Sequence, residues 1–132
     1  MLNEVLKQAN VSFEHECESL IHKDSLDMTD EDRQFLFDKI ESDENSYIVV
    51  THGTDTMIAT AKKLQTTENK VVVFTGAMQP AKFKSSDAEF NIGFAVAAVQ
   101  SLSPGIYIAM NGQIFKPNKV RKNLKLNRFE DA

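Results

Sequence analysis

Apolar positions along the chain fall into two kinds of pattern. Short continuous β-branched runs occur at Tyr47-Ile48-Val49-Val50-Thr51, at Lys70 to Thr75 (KVVVFT) and at Gly105 to Met110. Runs of this kind suit strands buried on both faces of a parallel sheet. Between them the spacing turns helical. Residues 2–9 place Leu2, Val5 and Leu6 on one side of a short helix. Thr29 reads as a helix N-cap, with Asp30, Glu31 and Asp32 in the first turn, where the helix dipole favours them. Phe35, Leu36, Phe37 and Ile40 continue that helix to about Glu41. Residues 56–65 place Met57, Ala61 and Leu64 on one face, and an Ala- and Val-rich helix runs from about 88 to 101. Partial alternation over Val11 to Leu20, with Val11, Phe13, His15 and Cys17 on one side, predicts a further strand near a sheet edge. The segment from His22 to Asp27 is polar, Asp43 to Ser46 is a turn, Gly76 to Asp87 is a long loop, and the tail from Asn111 is polar and basic.

The order is therefore β-α-β-α-β-α-β. It predicts an α/β fold: an open parallel sheet with right-handed crossovers and helices on both faces, a three-layer, Rossmann-like arrangement in a single domain. No internal repeat or linker divides the chain.

Composition agrees and narrows the partners. At 132 residues and 42% hydrophobic content the chain can bury a real core. Its net charge of −4 argues against a nucleic-acid partner, which calls for a basic surface. Cys17 is the single cysteine, so no internal disulfide can form, which fits a reducing compartment. No apolar stretch approaches the ~20 residues of a membrane span, and the start MLNEVLKQAN lacks the basic and apolar regions of a signal peptide. A cytoplasmic protein with no membrane partner is the expectation.

Ligands of open parallel sheets bind outside the carboxyl ends of the strands. Three loops leave those ends: His52–Thr56, Gly76–Asp87 and Asn111–Lys122. Gly53 and Gly76 allow sharp turns and close approach. Thr54 offers a hydroxyl and Asp55 a carboxylate beside a helix start, where free N–H groups can hold an anion. Thr54, Asp55 and Thr56 are equally the residue types that simply cap helices. Lys122 lies in a basic run that includes Lys116, Lys119, Arg121, Lys125 and Arg128, and such runs are ordinarily solvated. A lone serine in a polar loop, such as Ser25, is ordinarily a turn residue. His15, His22 and His52 show no metal spacing, and the glycines form no phosphate-loop or dinucleotide fingerprint. No metal or cofactor is expected.

Two of these loops carry a resemblance. Val49 to Met57, containing His52-Gly53-Thr54-Asp55-Thr56, closely resembles the asparaginase signature around that family's second active-site threonine. Val71 to Pro80 is similar to the family's next strand and loop. Ser85-Ser86-Asp87 followed by Asn91 resembles the segment that opens its next helix, and Asp24 to Met28 resembles its carboxylate-holding segment. The resemblance implies an amide hydrolase acting on asparagine or a related small amide. It implies that Thr54, Asp55 and Lys122 form a Thr-Asp-Lys group, with Lys122 easing deprotonation of Thr54. Asp55 would also bind the substrate's ammonium group, Ser25 its carboxylate, and the Ala77 carbonyl the amide being cleaved. A hydroxyl is a poor nucleophile without a neighbouring base or cation, so the set is chemically coherent. A homo-oligomer is implied as well.

Several features depart from the family, among them Ala88-Glu89 where it has Gly-Pro and the missing lid tyrosine. No strand ending in Thr-Gly-Gly-Thr, the usual source of the acylating threonine, occurs in the chain. The family's carboxyl-terminal domain is absent, although short members end near an Asn-Arg-Phe-Glu like Asn127 to Glu130. Leu26 stands where a glutamine or asparagine is expected. Residues 1–132 are thus read as an asparaginase amino-terminal-type domain lacking the first strand and the carboxyl-terminal domain. Two other readings stand beside the hydrolase: a catalytically impaired binding module for a small amino acid, and an assembly protein that pairs through an exposed sheet edge.

Overall fold

A computed structural model of the chain describes residues 1–64, 68–79 and 86–132. Residue 65, the end of the helix expected over 56–65, and Pro80 to Ser85 of the expected loop lie outside these. The elements run α1 (Leu2–Gln8), α2 (Asp30–Ser42), β1 (Tyr47–Thr51), α3 (Met57–Lys63), β2 (Val71–Thr75), α4 (Ala88–Ser101), β3 (Gly105–Met110), β4 (Gln113–Phe115), β5 (Val120–Asn123) and β6 (Arg128–Asp131). A sheet in the order β1-β2-β3-β4 forms the middle layer, with β1, β2 and β3 parallel. β2 is central, and all five of its residues are buried.

Alternate residues of the strands feed two cores. Val72, Phe74, Ile108 and Met110 meet Leu36 and Ile40 of α2 and Met57 and Ala61 of α3. Val71, Val73, Tyr107 and Ala109 meet Ala95, Ala98 and Val99 of α4. The three-layer α/β fold is thus present, with α2 and α3 on one face and α4 on the other. The start of α2 follows the predicted cap. The Thr29 hydroxyl accepts from Asp32 N–H at 3.1 Å, and the Asp32 carboxylate accepts from Thr29 N–H at 2.9 Å. Such a reciprocal box contributes about 1 kcal/mol.

Three expectations are corrected. The crossovers are not both right-handed. The steps β1 to β2 and β2 to β3 move in the same direction, yet α3 and α4 lie on opposite faces, so their hands must differ. The Ser46 carbonyl and His52 N–H both reach β2, and Ile48 and Val50, in phase with them, turn to the α3 face. For L residues this places β2 to the right when α3 faces the viewer and the strands run upward. The first crossover is therefore right-handed and the second, through α4, is left-handed, against the common rule.

Residues 11–20 form no strand: they take no regular structure, and Phe13, His15 and Cys17 are exposed. Their alternation finds no partner strand to pair with. The tail is not merely solvated. Asn111 and Gly112, at φ 54° and 75°, make a two-residue turn into β4, which pairs antiparallel with β3. β5 and β6 then form a separate two-stranded hairpin in which Lys122 lies opposite Phe129.

Candidate active site

The loop after β1 is shaped by close packing. A side chain at Gly53 would meet Cβ and Oγ of Ser25 at 2.7 Å, and one at Gly76 would run into the His52 carbonyl. Glycine at these two positions lets the loops after β1 and β2, and the Ser25 segment, crowd together.

His52 anchors the loop. Arg33, buried on α2, donates from Nε to Thr60 Oγ1 at 2.7 Å. The Thr60 hydroxyl proton is then free for His52 Nε2, 2.9 Å away. That leaves His52 Nδ1 to carry the ring proton and donate to the Gly53 carbonyl at 2.7 Å. Burial is the largest cause lowering the imidazole pKa. The bond to Gly53 opposes it, and the Arg33 charge adds to it. A neutral ring thus holds the backbone one residue before Thr54.

Lys122 arrives from the other end of the chain. Its Nζ donates to Thr54 Oγ1 at 2.9 Å and to Asp55 Oδ1 at 2.8 Å. The lysine side chain is 16% exposed and that of Asp55 47%, so the cation is largely desolvated while the carboxylate faces solvent. Thr54 and Asp55 do not act as caps. α3 takes Thr56 as its N-cap residue without a side-chain capping bond, and the Thr56 hydroxyl donates instead to the Ser25 carbonyl at 3.0 Å.

Ser25 is buried, and its Oγ has no hydrogen-bond partner among the described residues. An orphaned buried hydroxyl costs about 1–3 kcal/mol, which a polar ligand at this position would relieve. Leu26 points to solvent at 68% exposure. Ala77 lies in the loop after β2. That loop is fixed by Asp87, whose carboxylate accepts from Met78 N–H at 3.0 Å and from Gln79 N–H at 3.1 Å. Buried Asn91 donates to the Gly76 carbonyl at 2.8 Å and to Asp87 at 2.9 Å. Thr54, Asp55 and Lys122 are therefore in direct contact. Ser25 joins them through Gly53 and Thr56, whereas Ala77 makes no hydrogen bond to them among the described residues and lies next to Gly76, which packs on the His52 carbonyl.

Sequence reasoning missed Arg33, Thr60, Asp87 and Asn91 as supports. Arg33 stands three, four and seven residues before Leu36, Phe37 and Ile40, on the apolar stripe of α2, and that placement was the signal for the first. Among the described residues no three His, Cys, Asp or Glu side chains gather as metal ligands.

Comparison with known proteins places the geometry in context. The family model described as "Asparaginase, N-terminal" matches residues 1–129. L-asparaginase 2 of Escherichia coli is 36% identical over 112 residues, covering 80% of this chain and 32% of that protein. A probable periplasmic L-asparaginase of Haemophilus influenzae is 38% identical over the same length, again covering 80% and 32%. The crystal structure of a probable cytoplasmic L-asparaginase from Campylobacter jejuni superposes with a TM-score of 0.85 at 30% identity, covering 98% of this chain and 45% of that one. The chain thus spans about a third of the length of the curated relatives it matches.

Proposed function

The chain belongs to the asparaginase family, whose amino-terminal domain it matches, and on that premise we propose that it hydrolyses the side-chain amide of asparagine or a related small amide to the acid and ammonia. One observation carries the reading: the Lys122 ammonium sits 2.9 Å from Thr54 Oγ1 and 2.8 Å from Asp55 Oδ1. Thr54 is the nucleophile. As its hydroxyl gives up a proton, the adjacent ammonium stabilises the developing negative charge in a site where few waters compete. Oγ1 bonds to the amide carbon, the C–N bond breaks, and the nitrogen leaves as ammonia with the threonine's proton. Water then cleaves the ester and restores the hydroxyl.

Substrate binding is divided among the loops. Asp55, with its exposed carboxylate, takes the α-ammonium group. The orphaned Ser25 hydroxyl faces the substrate carboxylate, and the Ala77 carbonyl accepts from the amide N–H. Residues 1–132 contain no Thr-Gly-Gly-Thr turn, and Thr54 is the hydroxyl they supply beside Lys122. We place the protein in the cytoplasm as a homo-oligomer built on this domain, acting without a cofactor.

Ammonia release from asparagine by the purified chain tests the proposal. Release above buffer, abolished by Thr54→Ala with a drop of about 10⁴-fold, supports it. Ammonia release no faster than buffer, with asparagine still bound in calorimetry, leaves a binding module in its place.

A further inference from the structure

Lys122 and the loop after β2 come from different parts of the fold, yet one series of hydrogen bonds joins them. Asp87 accepts from Asn91 Nδ2 at 2.9 Å. The same Nδ2 donates to the Gly76 carbonyl at 2.8 Å, so one buried carboxamide holds both ends of the loop that contains Ala77. Asn91 Oδ1 accepts from the Asn111 N–H at 3.3 Å, at the end of β3. Asn111 Oδ1 in turn accepts from the Phe129 N–H at 2.7 Å. Phe129 is the residue opposite Lys122 in the hairpin, and its ring is 1% exposed in the core.

Asn91 uses both Nδ2 protons and its Oδ1 in this series, and Asn111 its N–H and Oδ1, so the links run unbroken from Asp87 to the hairpin. Asn111 also has a backbone role. At φ 54° it occupies the left-handed region that Asn, Asp and Gly tolerate in a two-residue turn. Its side chain reaches the hairpin at Phe129.

We propose that Asn91 and Asn111 are positioning residues that hold the Lys122 hairpin and the Ala77 loop in one frame, and so set the distance from Lys122 to Thr54. The inference rests on the reading of Lys122 as the partner of Thr54 in amide hydrolysis. An ammonium serves a developing alkoxide only at hydrogen-bond distance, and a misplacement of about 1 Å costs roughly 10²-fold.

Two variants separate the roles of the Asn111 side chain. Asn111→Asp keeps the turn conformation and an oxygen acceptor. Asn111→Gly keeps the conformation and removes the acceptor. The readouts are kcat and KM for asparagine, and the lysine side-chain NMR signal that disappears in Lys122→Met. The expected result is a kcat lowered about 10²-fold in Asn111→Gly, with a KM changed less than about threefold, a shifted Lys122 signal, and near-native values for all three in Asn111→Asp. An Asn111→Gly chain with native kcat and an unmoved Lys122 signal overturns the positioning role while leaving the hydrolase reading intact. A parent chain without turnover removes the hydrolase reading, and the Lys122 signal still decides the positioning. A measurement without variants covers a failure to fold: the Phe129 amide of the intact chain exchanges at least about 10²-fold slower than a free peptide, and exchange at the free rate refutes the bond to Asn111.

Discussion

The loop at His52–Thr56 and the hairpin at Val120–Asp131 meet in one site but are specified in different ways. The loop is local. Its glycine, its flanking strand and the helix that follows are contiguous, and His52 and Thr60, eight residues apart, tie it to α3, with Ser25 and Arg33 packed behind. The hairpin is made by long-range contacts. Lys122 reaches a threonine 68 residues earlier in the chain, and the hairpin is held by the burial of Val120 and Phe129 and by one carboxamide of Asn111. The polar chain through Arg33, Thr60 and His52 anchors the first region, whereas the second leans on the buried Phe129 ring as well as on Asn111, so the two respond differently to the same kind of damage.

Phe129→Ala strikes the hairpin where packing holds it. A fully buried phenylalanine lost to alanine costs about 3–5 kcal/mol, read from the midpoint of chemical denaturation, and in this chain it also frees Lys122 from Thr54. A loss below about 1 kcal/mol would mean that the hairpin is anchored by something other than its core residue.

Thr60→Val strikes the loop at its anchor while nearly preserving volume. It strips the buried Arg33 Nε–H of its acceptor and His52 Nε2 of its donor. The expected cost is about 1–3 kcal/mol, with the NMR signals of Gly53 to Asp55 broadened or moved and those of the hairpin backbone unchanged. Equal disturbance in both regions would erase the distinction between them.

The smallest effect is one of pH. The folded state holds the His52 pKa below 6.5, chiefly through burial. The unfolded chain therefore binds that proton more readily than the native one. The contribution to stability is complete above about pH 6.5 and is lost as the pH falls from there through the folded value. Denaturation midpoints followed from pH 7.5 downward should decline across this window, and the decline should be shallower in His52→Asn.

The contrast also explains what could be read from sequence. β1, β2, β3, α2 and α4 declared themselves because each is a contiguous pattern buried on a predictable side, and His52–Thr56 because the motif is local. Residues 11–20 misled because alternation describes a face only when a neighbouring strand exists, and none pairs with Val11 to Leu20. β5 and β6 were hidden because they are four-residue strands written in basic and polar letters, with only Val120 and Phe129 turned inward. The turn from β3 into β4 was the legible part of the tail, since an Asn-Gly dipeptide such as Asn111-Gly112 between apolar runs marks a tight hairpin. The left-handed second crossover was beyond reach, because handedness depends on which face α4 covers and both faces of β2 are equally apolar.

A threonine from the local region and a lysine from the distant one are proposed to act as one chemical unit. A double-mutant cycle on ammonia release from asparagine, with Thr54→Val, Lys122→Met and the combined variant, tests it most directly. Each single change is expected to remove most of the activity, and the double variant to be no slower than the slower single one, within about threefold. Losses that multiply in the double variant would show two residues contributing independently, and would contradict it.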